Sequence, residues 1–377
     1  MNLLDDPSAA PPAPKRLHIP SLDGLRTFSI LVVFLGHAGA GELVPGGFGV
    51  TVFFVVSGYL ITTLMRMEFD RSDTVDIRGF YQRRAFRILP LFYFVLFALI
   101  FLTLVFGLGR GTVDVTATLA QAFHVSNYWS ILQLTRGWGR PVMDGAGIFW
   151  SLAVEEHFYL AFPLLFKAMN TRRWTAALQG QFLAGLCGVV LAWRTILVYV
   201  LDATEERTYY ATDTRIDSIL IGCIVAIVAN PVLDRREAPQ VVLRRAVTAA
   251  VAILLTFAVR DPSLRESVRY SIQSVGIAFV MIYVVAAPTS LAGRILNKPV
   301  IAWFGRLSYA FYLVHLVVLK ELAKHYSTIT TAVLAFIIST LLSIVLQRLV
   351  ERPGLALRSK WTSRHDRRDA AVLVHDR

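Results

Sequence analysis

The chain has 377 residues, 55% of them hydrophobic and 17% charged, where an ordinary soluble domain carries about 25% charged residues. Such a composition excludes a soluble globular enzyme and has room for roughly ten membrane spans of about 20 residues joined by short loops. The balance is basic, 38 Lys and Arg against 26 Asp and Glu, but the cations are scattered between apolar runs, which excludes a nucleic-acid-binding stripe and suits the cationic cytoplasmic loops of a polytopic membrane protein.

Residues 1–20 open acidic and then turn rich in Pro and Ala. Lacking a cationic region followed by an apolar core and a cleavage site, they are not a signal peptide and are expected to be a disordered cytoplasmic tail. Ten apolar runs follow, beginning near Leu22, Phe48, Phe80, Ile148, Gln181, Ile216, Ala246, Val268, Val300 and Ile329. One further run, residues 115–134, is broken by His124, Ser126 and Asn127. Counted as a span, it would turn every later loop over and put the basic C-terminus outside, against the positive-inside bias. It is expected instead as an interfacial or re-entrant piece in a long outer loop after the third helix, since non-spanning backbone is tolerated where it lines a protein cavity. Both termini are then cytoplasmic, and Arg71, Arg78, Arg172, Arg173, Arg244 and Arg245 fall inside. The expected fold is all-α and polytopic over residues 21–353, with a basic cytoplasmic tail over 354–377. Cys187 and Cys223 lie inside apolar runs and form neither a disulfide framework nor a zinc spacing.

Ionisable residues inside membrane spans are costly and usually functional. The first span, "LDGLRTFSILVVFLGHAG", holds Asp23, Arg26 and His37. Arg26 lies in its cytoplasmic half; His37, eleven residues on, is about 16 Å further along the axis, near the outer end. The second, "GGFGVTVFFVVSGYLIT", re-enters through Gly46, Gly47 and Gly49 and carries a polar notch at Ser57 and Gly58. That notch is either helix-packing surface or part of a site beside His37. The third begins "RGFYQRRAFRILPLFYF", crowding Arg83, Arg84 and Arg87 at the cytoplasmic mouth. They are anchors to lipid headgroups or, as guanidinium forks, a clamp for phosphate oxygens. In the fourth, "IFWSLAVEEHFYLAFP", Glu155 and Glu156 reach about the depth of His37. They pair with an intramembrane arginine, or one of them orients a catalytic histidine. Arg215 and Asp217 open the sixth span, pairing with each other or facing an acceptor. His315 lies mid-membrane in the ninth, where a lone histidine is first of all a packing residue. The "VERPG" after the last span is a helix stop.

No G-x-S-x-G elbow, P-loop or H-E-x-x-H occurs, and no metal is expected. Arg26-x10-His37, "GGFGVTVFFVVSGYLIT", "RRAFRILP", "WSLAVEEHFY", "RIDSILIG" and "GRLSYAFYLVH", in that order between about residue 20 and residue 353, resemble the acyltransferase-3 family of integral membrane acyltransferases. The resemblance implies a ten-helix fold that moves an acyl group, usually acetyl, from cytoplasmic acyl-CoA to a hydroxyl of a carbohydrate or glycosylated small molecule. It implies His37 as the catalytic histidine, with Arg26, Arg83, Arg84, Arg87 and Glu155 in the site. It also implies the stand-alone type, without a fused SGNH domain, in a bacterial inner membrane.

Residues and resemblance together define an expected mechanism. Arg83, Arg84 and Arg87 hold the phosphates of acyl-CoA, and the pantetheine arm reaches through the bundle. His37 acts as general base on the acceptor hydroxyl, oriented by Glu155. Arg26 holds the pantetheine or pairs with Asp23. Ser57, Glu156, Arg215, Asp217 and His315 contact substrate or support the site. The competing reading is a secondary transporter of a sugar or organic acid, which intramembrane charges and broken helices also suit, although no inverted repeat is visible; a non-catalytic member of a glycan-synthesis complex is the third.

Overall fold

A computed structural model describes residues 18–41, 43–108, 113–137, 143, 145–234, 237–354 and 356. Residues 1–17 and 357–377 of the two expected tails lie outside the described residues. Among the described residues the secondary structure is helical, with no strand. In chain order the helices are α1 (Pro20–Leu35), α2 (Gly46–Ser72), α3 (Ile77–Phe106), α4 (Val115–Ala122), α5 (Ser126–Arg136), α6 (Phe149–Thr171) and α7 (Ala176–Tyr199). They continue with α8 (Glu205–Tyr210), α9 (Thr212–Val228), α10 (Pro239–Ala258), α11 (Pro262–Ala286), α12 (Leu291–Leu296), α13 (Pro299–Leu322) and α14 (Thr328–Leu346).

Among the described residues eight helical stretches are long and apolar enough to cross a membrane: α1 extended to Ala40, α2, α3, α7, α10, α11, α13, and α14 extended to Gly354. The other two of the ten expected runs form α6 and α9. Glu155 and Glu156 interrupt the apolar run of α6. The 17 residues of α9 span about 26 Å, short of a hydrocarbon core of about 30 Å. The reason lies in its packing: α9 sits against α2, α7 and α11, and 12 of its 17 residues are buried. It faces protein on most sides, so it tolerates Arg215, Asp217 and Ser218. By contrast α3, α10 and α14 present Phe97, Leu104, Leu254 and Ile329, each more than 60% exposed, as a lipid-facing surface requires.

Residues 115–134 form two pieces, α4 and α5, of 8 and 11 residues, about 12 and 17 Å long, so neither spans. Asp114 caps α4 by accepting from the Ala117 N–H at 2.7 Å. The chain breaks at His124, whose φ of +54° is left-handed, and the imidazole lies tilted against the Phe92 ring, 4.5 Å between centroids.

Close helix approach depends on glycine. A methyl group at Gly222 would overlap the Val55 carbonyl oxygen, and one at Gly58 the Ile219 carbonyl oxygen; this is the small-residue packing that holds membrane helices together. Gly222→Val is expected to destabilise the detergent-solubilised protein by about 1–3 kcal/mol through overpacking. Gly188→Ala on α7, where nothing lies within 4 Å, is the control and should leave thermal unfolding unchanged. Equal effects of the two would refute the α2–α9 contact.

Candidate active site

Helix periodicity brings five elements together around one cavity. On α6, Ser151, Glu155 and Tyr159 repeat at i, i+4, i+8, and on α13 Ser308, Tyr312 and His315 at i, i+4, i+7, so each set shares a face. Arg26 and His37, eleven residues apart on α1 and its continuation, also share a face, three turns apart. The cavity, with an empty volume of about 870 Å³, lies between α1, α2, α3, α6 and α13. Its polar wall comprises Arg26, Ser57, Arg84, Arg87, Ser151, Glu155, Glu156, Tyr159, Ser308, Tyr309 and Tyr312, and its apolar wall includes Val50, Phe53, Phe54 and Leu60.

One end is cationic. The Arg84 guanidinium lies 5.6 Å from the Tyr159 ring and 5.8 Å from that of Phe80. Arg26 is half-buried, its Nε fully so and unpartnered among the described residues, and its charge is felt alongside those of Arg87, Asp23 and Glu155. Ser57 Oγ and Tyr159 Oη hydrogen-bond each other at 2.9 Å beside Glu155, on which Arg26 and Arg84 also act. The lining holds three guanidiniums, Arg26, Arg84 and Arg87, and two carboxyls, Glu155 and Glu156, a formal surplus of one positive charge.

The other end is polar but uncharged. Tyr312 donates its hydroxyl to the Ile148 carbonyl at 2.9 Å and meets Ser151 Oγ at 2.6 Å. One turn beyond, its ring is 5.7 Å from that of His315. His315 is fully buried, and its Nε2 is 3.0 Å from His37 Nδ1. His37 itself is exposed. It lies at the kinked end of the first span, Gly36–Ala40, where Gly39 adopts φ +99° and breaks the helix.

The structure distributes the expected site residues unevenly. Arg26, Ser57, Arg84, Arg87, Glu155 and Glu156 share the cavity. Arg83 does not: it pairs with Glu68 at 2.9 Å, with Asp76 at 3.9 Å, and fastens the α2–α3 turn. Glu155 makes no hydrogen bond to His37. It lies one turn of α6 below Ser151, hence two turns from the histidines, among Arg26, Ser57, Arg84 and Tyr159. The partner of His37 is His315, 278 residues away in the chain.

Arg215 and Asp217 do not pair. Asp217 binds Arg194 of α7, with neither side chain exposed. Arg215 stacks on Tyr270, its Cζ 3.8 Å from the ring centroid and 5.3 Å from that of Tyr209, and donates to Thr51 Oγ1 at 3.0 Å. Sequence reading missed Arg194, Tyr159, Tyr312 and Glu351. The i, i+4 repeats would have revealed the tyrosines. Glu351 lies in the "VERPG" expected as a helix stop, but the helical stretch runs on to Gly354; it acts electrostatically on Arg87 and Arg26, a placement visible only once α14 packs. Among the described residues no group of three or more His, Cys, Asp or Glu is placed to hold a metal ion.

Residues 19–348 match the family described as "Acyltransferase domain". The chain is 30% identical over 349 residues to the O-acetyltransferase OatA of Staphylococcus aureus strain NCTC 8325 / PS 47, covering 89% of this chain and 57% of that protein. It is 29% identical over 348 residues to a putative O-acetyltransferase of Staphylococcus aureus strain COL, covering 90% of this chain and 57% of the relative. The chain thus spans a little over half the length of these relatives. No solved structure matches it.

Proposed function

The chain belongs to this acyltransferase family as an integral membrane member, and on that premise we propose that it is an O-acyltransferase. It moves an acyl group, acetyl in the first place, from acyl-CoA to a hydroxyl of a carbohydrate or glycosylated small molecule. The names of the relatives supply the acetyl group and the oxygen acceptor. Carbohydrate is the acceptor class that the resemblance implies. Both termini face the cytoplasm of a bacterial inner membrane, which puts the Arg84 and Arg87 end of the cavity inside and His37 near the outer face.

The observation that carries this reading is the polarity of the cavity: guanidiniums at one end, and at the other a tyrosine one helical turn from a histidine pair. The phosphates of acyl-CoA meet Arg84 and Arg87, whose forks fit phosphate oxygens. Pantetheine follows the apolar wall, where exclusion of water protects the thioester. His37 takes the proton of the acceptor hydroxyl, the alkoxide oxygen attacks the thioester carbonyl, and CoA leaves as the thiol on accepting a proton. Glu155 steadies Arg26 and Arg84. Membership of an acyltransferase family ranks the transporter alternative below this reading.

Thermal unfolding of the purified protein with acetyl-CoA tests the donor site. At 100 times its Kd a ligand stabilises by about 2.7 kcal/mol. A saturable shift is expected, smaller with dephospho-CoA and smaller again in Arg84→Gln/Arg87→Gln. No shift with any acyl-CoA, in protein that unfolds cooperatively, would remove acyl-CoA as donor.

A further inference from the structure

We propose that His315 is a positioning residue that holds His37 in its Nδ1–H tautomer and thereby leaves the Nε2 lone pair of His37 as the base. The inference rests on the acyl-transfer reading only in giving His37 that task; the tautomer itself follows from geometry. His315 Nδ1 lies 2.8 Å from the Tyr312 carbonyl oxygen and 3.2 Å from that of Phe311. A carbonyl oxygen only accepts, so Nδ1 of His315 carries the proton, and Nε2 of the neutral ring carries the lone pair. His37 Nδ1, 3.0 Å from that lone pair, must be the donor. The one remaining nitrogen of His37, Nε2, is then unprotonated and able to accept a proton from a hydroxyl.

Free histidine in water favours the opposite tautomer, so the partner on Nδ1 decides which nitrogen does the chemistry. Enzymes commonly give this task to a carboxylate or a backbone carbonyl. Here an imidazole relays a backbone carbonyl: Tyr312 C=O fixes His315, and His315 fixes His37. Packing makes the relay rigid. His315 is buried, its ring 9° from parallel to Phe311 at 5.8 Å and 6.3 Å from Phe34. The His37 ring centroid lies 5.3 Å from that of His315, with 30° between the ring planes, the separation of two imidazoles joined edge to edge through their nitrogens. Tyr312 also lines the cavity, so the residue that sets the relay touches the acyl path as well.

The test is nitrogen-15 NMR of detergent-solubilised protein labelled at histidine, with the His37 signals assigned by their loss in His37→Gln. The expected spectrum shows His37 Nδ1 protonated and Nε2 unprotonated. In His315→Gln the amide oxygen accepts at the same place, and the tautomer is retained. In His315→Phe no acceptor remains, and His37 moves to the Nε2–H form or a mixture. Thiol release from acetyl-CoA with methyl glucoside as probe acceptor should follow: kcat falls about 10–100-fold in the Phe variant, KM for acetyl-CoA stays within about twofold, and the Gln variant recovers most of the loss. An Nε2–H tautomer in the native protein overturns the proposal, as does a Phe variant with unchanged tautomer. If the Phe variant fails to fold, the native and Gln spectra decide. Native turnover in His37→Gln, with the expected spectrum intact, would overturn the role of His37 as base and leave the relay standing.

Discussion

Acyl transfer in His37→Ala falls by about 10²–10⁴-fold, the usual contribution of a general base, while the fold persists. His37 is exposed, and its hydrogen bond to His315, the one it makes among the described residues, is worth only about 1 kcal/mol. Thermal unfolding should therefore shift little, and acetyl-CoA should still stabilise the variant if, as proposed, its phosphates dock at Arg84 and Arg87 at the far end of the cavity. The checking measurement is thiol release from acetyl-CoA set beside the thermal shift on the same preparation. Loss of turnover with retained binding separates chemistry from donor capture. Native turnover in both His37→Ala and His37→Gln would end the role assigned to His37.

The second large effect concerns stability. Arg194 and Asp217 are both wholly unexposed, with Arg194 Nη2 and Asp217 Oδ2 3.1 Å apart. Arg194 also donates to the Ser267 carbonyl at 2.6 Å, to Ser271 Oγ at 2.6 Å and to the Thr214 carbonyl. Asp217 accepts from Ser271 Oγ at 2.6 Å and from the Ser218 N–H at 3.0 Å. The network ties α7, α9 and α11. Removing one partner leaves an uncompensated buried charge, which costs about 3–5 kcal/mol, whereas replacing both by apolar residues is often close to neutral. Arg194→Leu and Asp217→Leu are each expected to unfold at much lower temperature than the native protein in detergent. The double variant should recover most of that loss. A double variant no better than the sum of the singles would show that the two charges do not depend on each other.

Helices and their approximate number were legible because a hydrocarbon core demands long apolar runs, and the segment 115–134 was separable because His124, Ser126 and Asn127 break its run. The cationic end of the cavity was legible too: Arg84 and Arg87, three apart at a helix start, share a face in any α-helix, as do Arg26 and His37 across three turns. Whether each side chain turned towards the cavity was not. Arg83 shares a helix face with Arg87, four residues on, yet its guanidinium turns to Glu68 and Asp76, carboxylates that only the α2–α3 turn brings beside it.

What the sequence by itself determined is the solvent each segment faces and which residues are too polar for it; composition and periodicity act locally, so they can be summed along the chain. What only the tertiary structure decided is the partner of each costly residue: His315 for His37 across 278 residues, Arg194 for Asp217, an aromatic stack for Arg215. Buried polar groups must find partners, but that requirement names no partner. The choice depends on helix depth and rotation, which glycine contacts such as Gly222 against Val55 set only once the bundle has closed.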